Sequence, residues 1–166
     1  MKADRIFTLI LTRADTGARH LVIFGAAAMV GVVSAQVVAR YMFNSSFDWA
    51  DEVSRIAFVW TIFLAIPLGI RDGTHVGIEL LVKRFPVRLR AMLARVTNGL
   101  AAVMMLIVFW TSIIVAMVTW SERLGVLNMT SSVFFFPVIL GSLHAALHLT
   151  QMALFPSDPR TSEPRT

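Results

Sequence analysis

The stretch VTNGLAAVMMLIVFWTSIIVAMVTWS, residues 96–121, runs for 26 residues without an Asp, Glu, Lys or Arg. An α-helix rises ~1.5 Å per residue and the hydrocarbon core of a bilayer is ~30 Å thick, so about 20 apolar residues cross it. Outward from this stretch, three more uncharged segments occur, at residues 21–39, 56–70 and 124–157. The sequence therefore predicts an all-α membrane protein with four transmembrane helices.

Composition supports this class and excludes others. The chain is 57% hydrophobic, has a mean hydropathy of +0.72 and is only 15% charged, whereas soluble domains carry about 25% charged residues. The absence of cysteine excludes disulfides, thiolate metal sites and thiol catalysis. No loop is long enough to fold a separate catalytic or nucleic-acid-binding domain. The net charge of +5 is better explained by membrane topology than by nucleic-acid binding.

The distribution of Lys and Arg predicts the topology. Twelve of the 15 lie before residue 20, between residues 71 and 95, or after residue 155, and basic segments beside spans normally face the cytoplasm. Both termini and the second loop are therefore predicted to be cytoplasmic. We divide the chain into a basic leader (1–19), a four-helix transmembrane domain (20–155) and a disordered cytoplasmic tail (156–166). The predicted spans cover about 20–42, 48–70, 93–120 and 133–155.

The second loop contains a short basic amphipathic segment. Five residues of this segment are apolar, namely Val76, Ile78, Leu80, Leu81 and Val82, and basic side chains follow. Such a segment either lies along the cytoplasmic membrane surface or is an ordinary basic loop, and the sequence leaves both interpretations open. The residues predicted to face the lipid headgroups are Lys83, Arg84, Arg88 and Arg90.

Ionisable residues deep in a membrane are the usual functional candidates, and here every charged residue is predicted at or near a span boundary. That pattern argues against a pump or a proton relay. His144 and His148 are four residues apart and share one helix face, where they could bind haem or a metal. A haem that bridges two helices needs a second histidine deep in another span, but His20 and His75 both lie at predicted span edges. We therefore favour hydrogen bonds to neighbouring helices, or an interfacial position, for His144 and His148. We therefore predict that the protein binds no cofactor and no metal.

A dense polar cluster is predicted at the outer turn between the first two spans. Asp51 and Glu52 lie four and three residues before Arg55, so both pairs can meet on one helix face. The cluster has two open interpretations: a polar clamp that closes the helical hairpin, or an outward docking surface. Its members are Arg40, Asn44, Asp48, Trp49, Asp51, Glu52 and Arg55, with Asp48 predicted to cap the second helix.

Four motifs in this order resemble the small membrane subunit of TRAP transporters, the tripartite ATP-independent periplasmic transporters, of the DctQ type. They are RYMFN at 40–44, WADEVSR at 49–55, a tryptophan at 60 and RDGTHV at 71–76. The resemblance extends over about residues 20–150 and includes the four-span layout. It singles out a cytoplasmic loop motif formed by Arg71, Gly73 and His75.

The resemblance implies a non-catalytic scaffold subunit in the bacterial inner membrane. Its implied partners are a large multi-span subunit that carries substrate and sodium, and a periplasmic solute receptor that delivers small organic acids. Two other classes stay open at this point. One is a haem-bearing or quinone-site anchor subunit of a respiratory complex, and the other is a small transporter that works alone as an oligomer.

Overall fold

The computed structural model describes residues 2–45, 47–71 and 87–154, and within these ranges it contains no β-strand. Four of its helices are long and apolar enough to cross a membrane, which confirms the predicted four-span class. Two short 3₁₀ turns flank the loop before the last helix. The helices are α1 (Lys2–Phe43), α2 (Ala50–Arg71), α3 (Val87–Val118) and α4 (Phe136–Leu154), and the turns are Thr119–Ser121 and Ser131–Phe134.

Helix α1 begins far earlier than the span predicted from about residue 20. The basic leader and the first span form one continuous helix of 42 residues. The leader contains no proline, and apolar residues recur there at helical spacing. Leu11, Asp15 and Ala18 are buried at positions i, i+4 and i+7, which is the pattern of a helix face packed on a neighbour. The leader is therefore part of the bundle from at least Leu11 onward.

The turn between α1 and α2 depends on Asn44. This residue adopts a positive φ of 48°, a conformation that asparagine tolerates better than most non-glycine residues. The Ser45 N–H donates a 3.3 Å hydrogen bond to the Ala39 carbonyl, and the Ala50 N–H donates a 3.0 Å bond to the Phe47 carbonyl. These bonds end α1 and start α2 within a short connection, so the two helices pack as an antiparallel pair.

The helices pack in the order α1, α2, α4, α3, with α2 and α4 in the middle. A small core forms where α2, α3 and α4 meet, around Ile70, Ala102, Ala145 and Leu149. The outer helices leave large apolar faces uncovered. These faces are suited to contact with lipid or with another membrane protein, because exposing apolar surface to water is unfavourable.

Two glycines permit close approach between helices. At Gly141 in α4, a Cβ atom would collide with the backbone carbonyl of Phe63 in α2. At Gly25 in α1, a Cβ atom would lie 2.5 Å from Thr61 Oγ1 of α2. Small residues at helix contacts are typical of membrane proteins, where close van der Waals packing replaces the hydrophobic drive.

Several predicted features fall outside the described residues. The amphipathic segment, Gly73, His75, Lys83 and Arg84 lie there, as does the predicted tail after residue 155. Arg88 and Arg90 belong to the first turns of α3, but their side chains are not described. The predictions made for all of these residues stay predictions.

Candidate functional site

The two ends of the bundle carry different polar groups. The hairpin end holds the α1–α2 turn and the loop between α3 and α4, residues 122–130. Here Glu52, in the first turn of α2, accepts hydrogen bonds from two backbone amides of that loop. The Val126 N–H donates to Oε1 at 2.9 Å and the Leu127 N–H donates to Oε2 at 2.7 Å. One carboxylate thereby ties α2 to the loop that leads into α4.

The loop is folded so that these amides converge on Glu52. Arg123 and Thr130 form an isolated antiparallel bridge, and the Leu124 N–H donates to the Met129 carbonyl at 2.9 Å. The Arg123 guanidinium also donates to the Asn128 carbonyl at 3.0 Å. Because the loop satisfies its own backbone groups in this way, two amides at its tip are left to bind the carboxylate.

The charge pairs predicted within the cluster do not form as direct contacts. Among the described residues, no ion pair joins Arg40 or Arg55 to Asp51 or Glu52. Gln36 of α1 instead donates a 3.2 Å hydrogen bond to Asp51 Oδ1. Arg40 and Arg55 are exposed, so their charges are free to face the solvent at this end. Sequence spacing indicated that the pairs could meet but not that Glu52 would find better donors in the loop.

Asp48 does not take the predicted capping position. Helix α2 begins at Ala50, so Trp49 immediately precedes it and Asp48 lies one residue further out, within the turn. The Asp48 carboxylate makes no hydrogen bond to a residue that the structure describes. Trp49 is partly exposed and lies beside Phe47, with ring centroids 5.7 Å apart. The turn therefore presents an acidic group and an aromatic pair at the surface.

An open polar cavity of about 350 Å³ lies at the hairpin end. It contains both charge signs, since the Arg40 guanidinium and the carboxylates of Asp48 and Asp51 belong to its wall. The complete lining is Gln36, Arg40, Asn44, Ser45, Phe47, Asp48 and Asp51. Four of the seven predicted cluster residues thus line this cavity, while Glu52 is engaged with the loop.

At the opposite end, Asp15 forms a polar node that the sequence analysis missed. Only 2% of Asp15 is exposed. Arg71, the last residue of α2, donates a 2.9 Å hydrogen bond to Oδ2. On α4, His144 Nε2 and His148 Nε2 lie 2.9 Å and 2.8 Å from Oδ1. Residues from three helices therefore meet on one buried carboxylate.

The sequence predicts every charged residue at or near a span boundary, but it does not predict that Asp15 is buried. Asp15 was assigned to the basic leader, and only its spacing from Leu11 and Ala18 could have indicated that it faces inward. Histidine hydrogen bonds to neighbouring helices were expected, and His148 makes one to α1. The two histidines approach the same carboxylate from one helix, which is not the geometry that holds a haem between histidines of two helices.

The comparisons with known proteins identify the family of the chain. Residues 29–155 match the family described as the DctQ component of tripartite ATP-independent periplasmic transporters. A TRAP transporter small permease protein of Haemophilus influenzae is 22% identical over 142 residues, which is 86% of each chain. The C4-dicarboxylate TRAP transporter small permease protein DctQ of Vibrio cholerae is 32% identical over 82 residues, covering 49% of this chain and 35% of that protein.

A third relative is much longer than this chain. The sialic acid TRAP transporter permease protein SiaT of Haemophilus influenzae is 32% identical over 63 residues, which is 38% of this chain and 10% of that protein. The family match covers most of the sequence, including all of α2, α3 and α4. The chain therefore belongs to the DctQ family of TRAP transporter small permease components.

Proposed function

We propose that this chain is the scaffold subunit of a TRAP transporter that pairs with a large permease subunit and is itself not an enzyme. The transporter would import small organic acids, delivered by a periplasmic receptor and driven by a sodium gradient. Family membership supports the transport role. Two relatives are named for C4-dicarboxylates and for sialic acid, both organic anions, which supports the substrate class.

The observation that carries the scaffold role is the exposure of the outer helices. Phe24 of α1 is 73% exposed, and Trp110 of α3 is 65% exposed. Within the apolar window of the α1 span, none of the residues is buried inside the bundle. Lipid gives little hydrophobic drive for association between helices. These faces would therefore bind a partner through close van der Waals packing of complementary shapes. We assign α1 and α3 as the two helices available for the large subunit.

Coexpression with the large permease tests this assignment. The tagged chain is purified in mild detergent with and without the large subunit, and sodium-driven uptake is measured after reconstitution with the receptor. We expect a stable complex, and uptake that requires all three proteins and an inward sodium gradient. Uptake by the chain alone, or by the large subunit and receptor without it, would contradict the scaffold role.

We further propose that the cavity at the hairpin end belongs to the surface on which the receptor docks. Its wall carries exposed charges of both signs, and Arg40 makes no ion pair with the described residues. Exposed charges of this kind tune association rates more than fold stability. The docking interpretation is therefore favoured for Arg40 and Asp48, while Glu52 serves the structure.

The double variant Arg40→Ala/Asp48→Asn tests docking. We expect normal yield of the membrane complex, reduced uptake at low receptor concentration, and partial recovery at excess receptor. Arg55→Ala is the matched control, because Arg55 is exposed at the same end, does not line the cavity and makes no ion pair with the described residues. A loss of complex in the double variant would instead assign these residues to assembly.

A further inference from the structure

The node on Asp15 has the composition of a metal site. The carboxylate and the imidazoles of His144 and His148 offer one ligand atom each, all within 4.8 Å of one another. Asp15 and His148 are buried and His144 is nearly so, with its side chain 12% exposed. Although His144 Nε2 lies 2.9 Å from Asp15 Oδ1, this buried atom makes no hydrogen bond of acceptable geometry with the described residues.

The geometry points to a binding site for a late first-row divalent cation such as Zn²⁺, held by Asp15, His144 and His148. Zinc bonds to imidazole nitrogen and carboxylate oxygen measure about 2.0–2.2 Å, so ligand atoms of a tetrahedral site lie about 3.4 Å apart. The present distances from Oδ1 to the two Nε2 atoms, 2.9 and 2.8 Å, need to lengthen by only about 0.5 Å. The two imidazole nitrogens lie within 4.8 Å of each other, so small rotations of the three side chains would bring the ligand atoms to the required separations.

The spacing of the ligands suits such a site. His144 and His148 are one helical turn apart on α4, so their rings face the same way and lie 4.9 Å apart between centroids. Asp15 reaches the same point from α1. Three protein ligands leave a fourth position of a tetrahedral cation for water or for a group of a partner.

Arg71 orients the carboxylate of the proposed site. Its guanidinium binds Oδ2 and leaves Oδ1 facing the imidazoles, in the way that outer-shell partners orient ligating carboxylates. Its positive charge also offsets the charge of Asp15, so the two imidazoles must supply most of the affinity. Imidazole ligands favour Zn²⁺, Ni²⁺ and Cu²⁺ over the oxygen-seeking Mg²⁺ and Ca²⁺. The site is therefore expected to discriminate between these two groups.

A bound cation would link α1 directly to α4. The two helices are not neighbours in the packing order, since α1 packs on α2 and α2 on α4. The cation would add direct bonds between them at the end opposite the hairpins. We expect it to stabilise the position of the first turns of the α1 span against the bundle.

Zinc binding by the full-length chain in lipid nanodiscs tests the proposal. The affinity tag must contain no histidine, and the absence of cysteine with only four histidines in the chain keeps competing sites few. Competition with a chromogenic chelator should show one Zn²⁺ per chain, and Co²⁺ should give the visible absorption of a nitrogen- and oxygen-ligated site. Mg²⁺ at the same concentration should compete with neither metal.

Three variants and a control locate the site. His144→Ala, His148→Ala and Asp15→Asn should each weaken Zn²⁺ binding at least tenfold, while His20→Ala, which removes an exposed histidine of α1, should not. Helical content by circular dichroism identifies any variant that fails to fold. Thermal stabilisation of the unmodified chain by Zn²⁺, reversed by chelator, provides a test independent of the variants. Absence of Zn²⁺ stabilisation, or equal loss of binding in His20→Ala, would overturn the proposal.

Discussion

At the residue scale, Glu52 shows how one side chain can join two distant segments. Its two oxygens each accept one backbone N–H from the loop, at Val126 and Leu127. The residue lies in the first turn of α2, where the helix dipole also favours a negative charge. The same carboxylate therefore stabilises the start of the helix and binds the loop. These interactions matter more for Glu52 than its position three residues before Arg55.

We predict that Glu52→Gln loosens the loop. The amide group of glutamine cannot accept a hydrogen bond at its nitrogen, so one of the two loop amides loses its acceptor. Hydrogen exchange followed by mass spectrometry should show faster exchange in a peptide containing Val126 and Leu127. Glu122→Gln is the control, since it makes the same change at an exposed residue of the same loop. Equal acceleration in both variants would contradict the specific role of Glu52.

At the element scale, the contact between α2 and α4 depends on the missing side chain of Gly141. Its position faces the Phe63 carbonyl, a backbone group that cannot move without displacing α2. The contact between α1 and α2 at Gly25 would accommodate an added Cβ atom more easily, because the nearest atom there is the side-chain hydroxyl of Thr61. That hydroxyl, however, donates a 2.7 Å hydrogen bond to the Ala57 carbonyl, so moving it has a cost.

We predict that Gly141→Ala lowers the free energy of unfolding in detergent by about 1–3 kcal/mol, the usual effect of overpacking. Gly25→Ala should be milder, since a hydroxyl can rotate away. The control is Gly99→Ala on α3, which has no atom within 4 Å of the added Cβ and gains about 1 kcal/mol of helix propensity at most. Thermal unfolding of the purified subunit measures all three, and a Gly141→Ala protein as stable as Gly99→Ala would refute the close contact.

At the scale of the whole molecule, the two proposed functions lie at opposite polar ends of the bundle. The hairpin end holds the cavity, whose charged side chains form no ion pair among the described residues, and the opposite end holds the node on Asp15. Between them the described side chains are almost all apolar or small. If the receptor docks at the hairpin end, that end must face the periplasm, which agrees with the distribution of Lys and Arg.

We predict this orientation from single cysteines introduced into the cysteine-free chain. Asn128→Cys, in the exposed loop at the hairpin end, should react with a membrane-impermeant thiol reagent in cells whose outer membrane is permeabilised. Thr161→Cys, in the predicted cytoplasmic tail, should react only after the inner membrane is opened. The reverse pattern would place the hairpin end in the cytoplasm and remove the docking proposal with it.

The sequence by itself determined that the protein lies in a membrane, that it has four spans and which family it resembles. Uncharged stretches such as residues 96–121 allow few alternatives, because a bilayer requires a continuous apolar helix with all its backbone hydrogen bonds made internally. The motifs at residues 40–44 and 49–55 likewise located the polar turn and indicated the TRAP family before any contact was known. These features are local, so they can be predicted from neighbours in the chain.

Only the tertiary structure decided which polar groups meet. Glu52 binds amides 74 and 75 residues away, and Asp15 meets His148 across 133 residues. Spacing along one helix predicted the nearer partner Arg55, and it placed Asp15 in a leader outside the bundle. Side chains choose partners by distance in space after the helices have packed, and that packing depends on contacts such as Gly141 against Phe63, which no local pattern encodes.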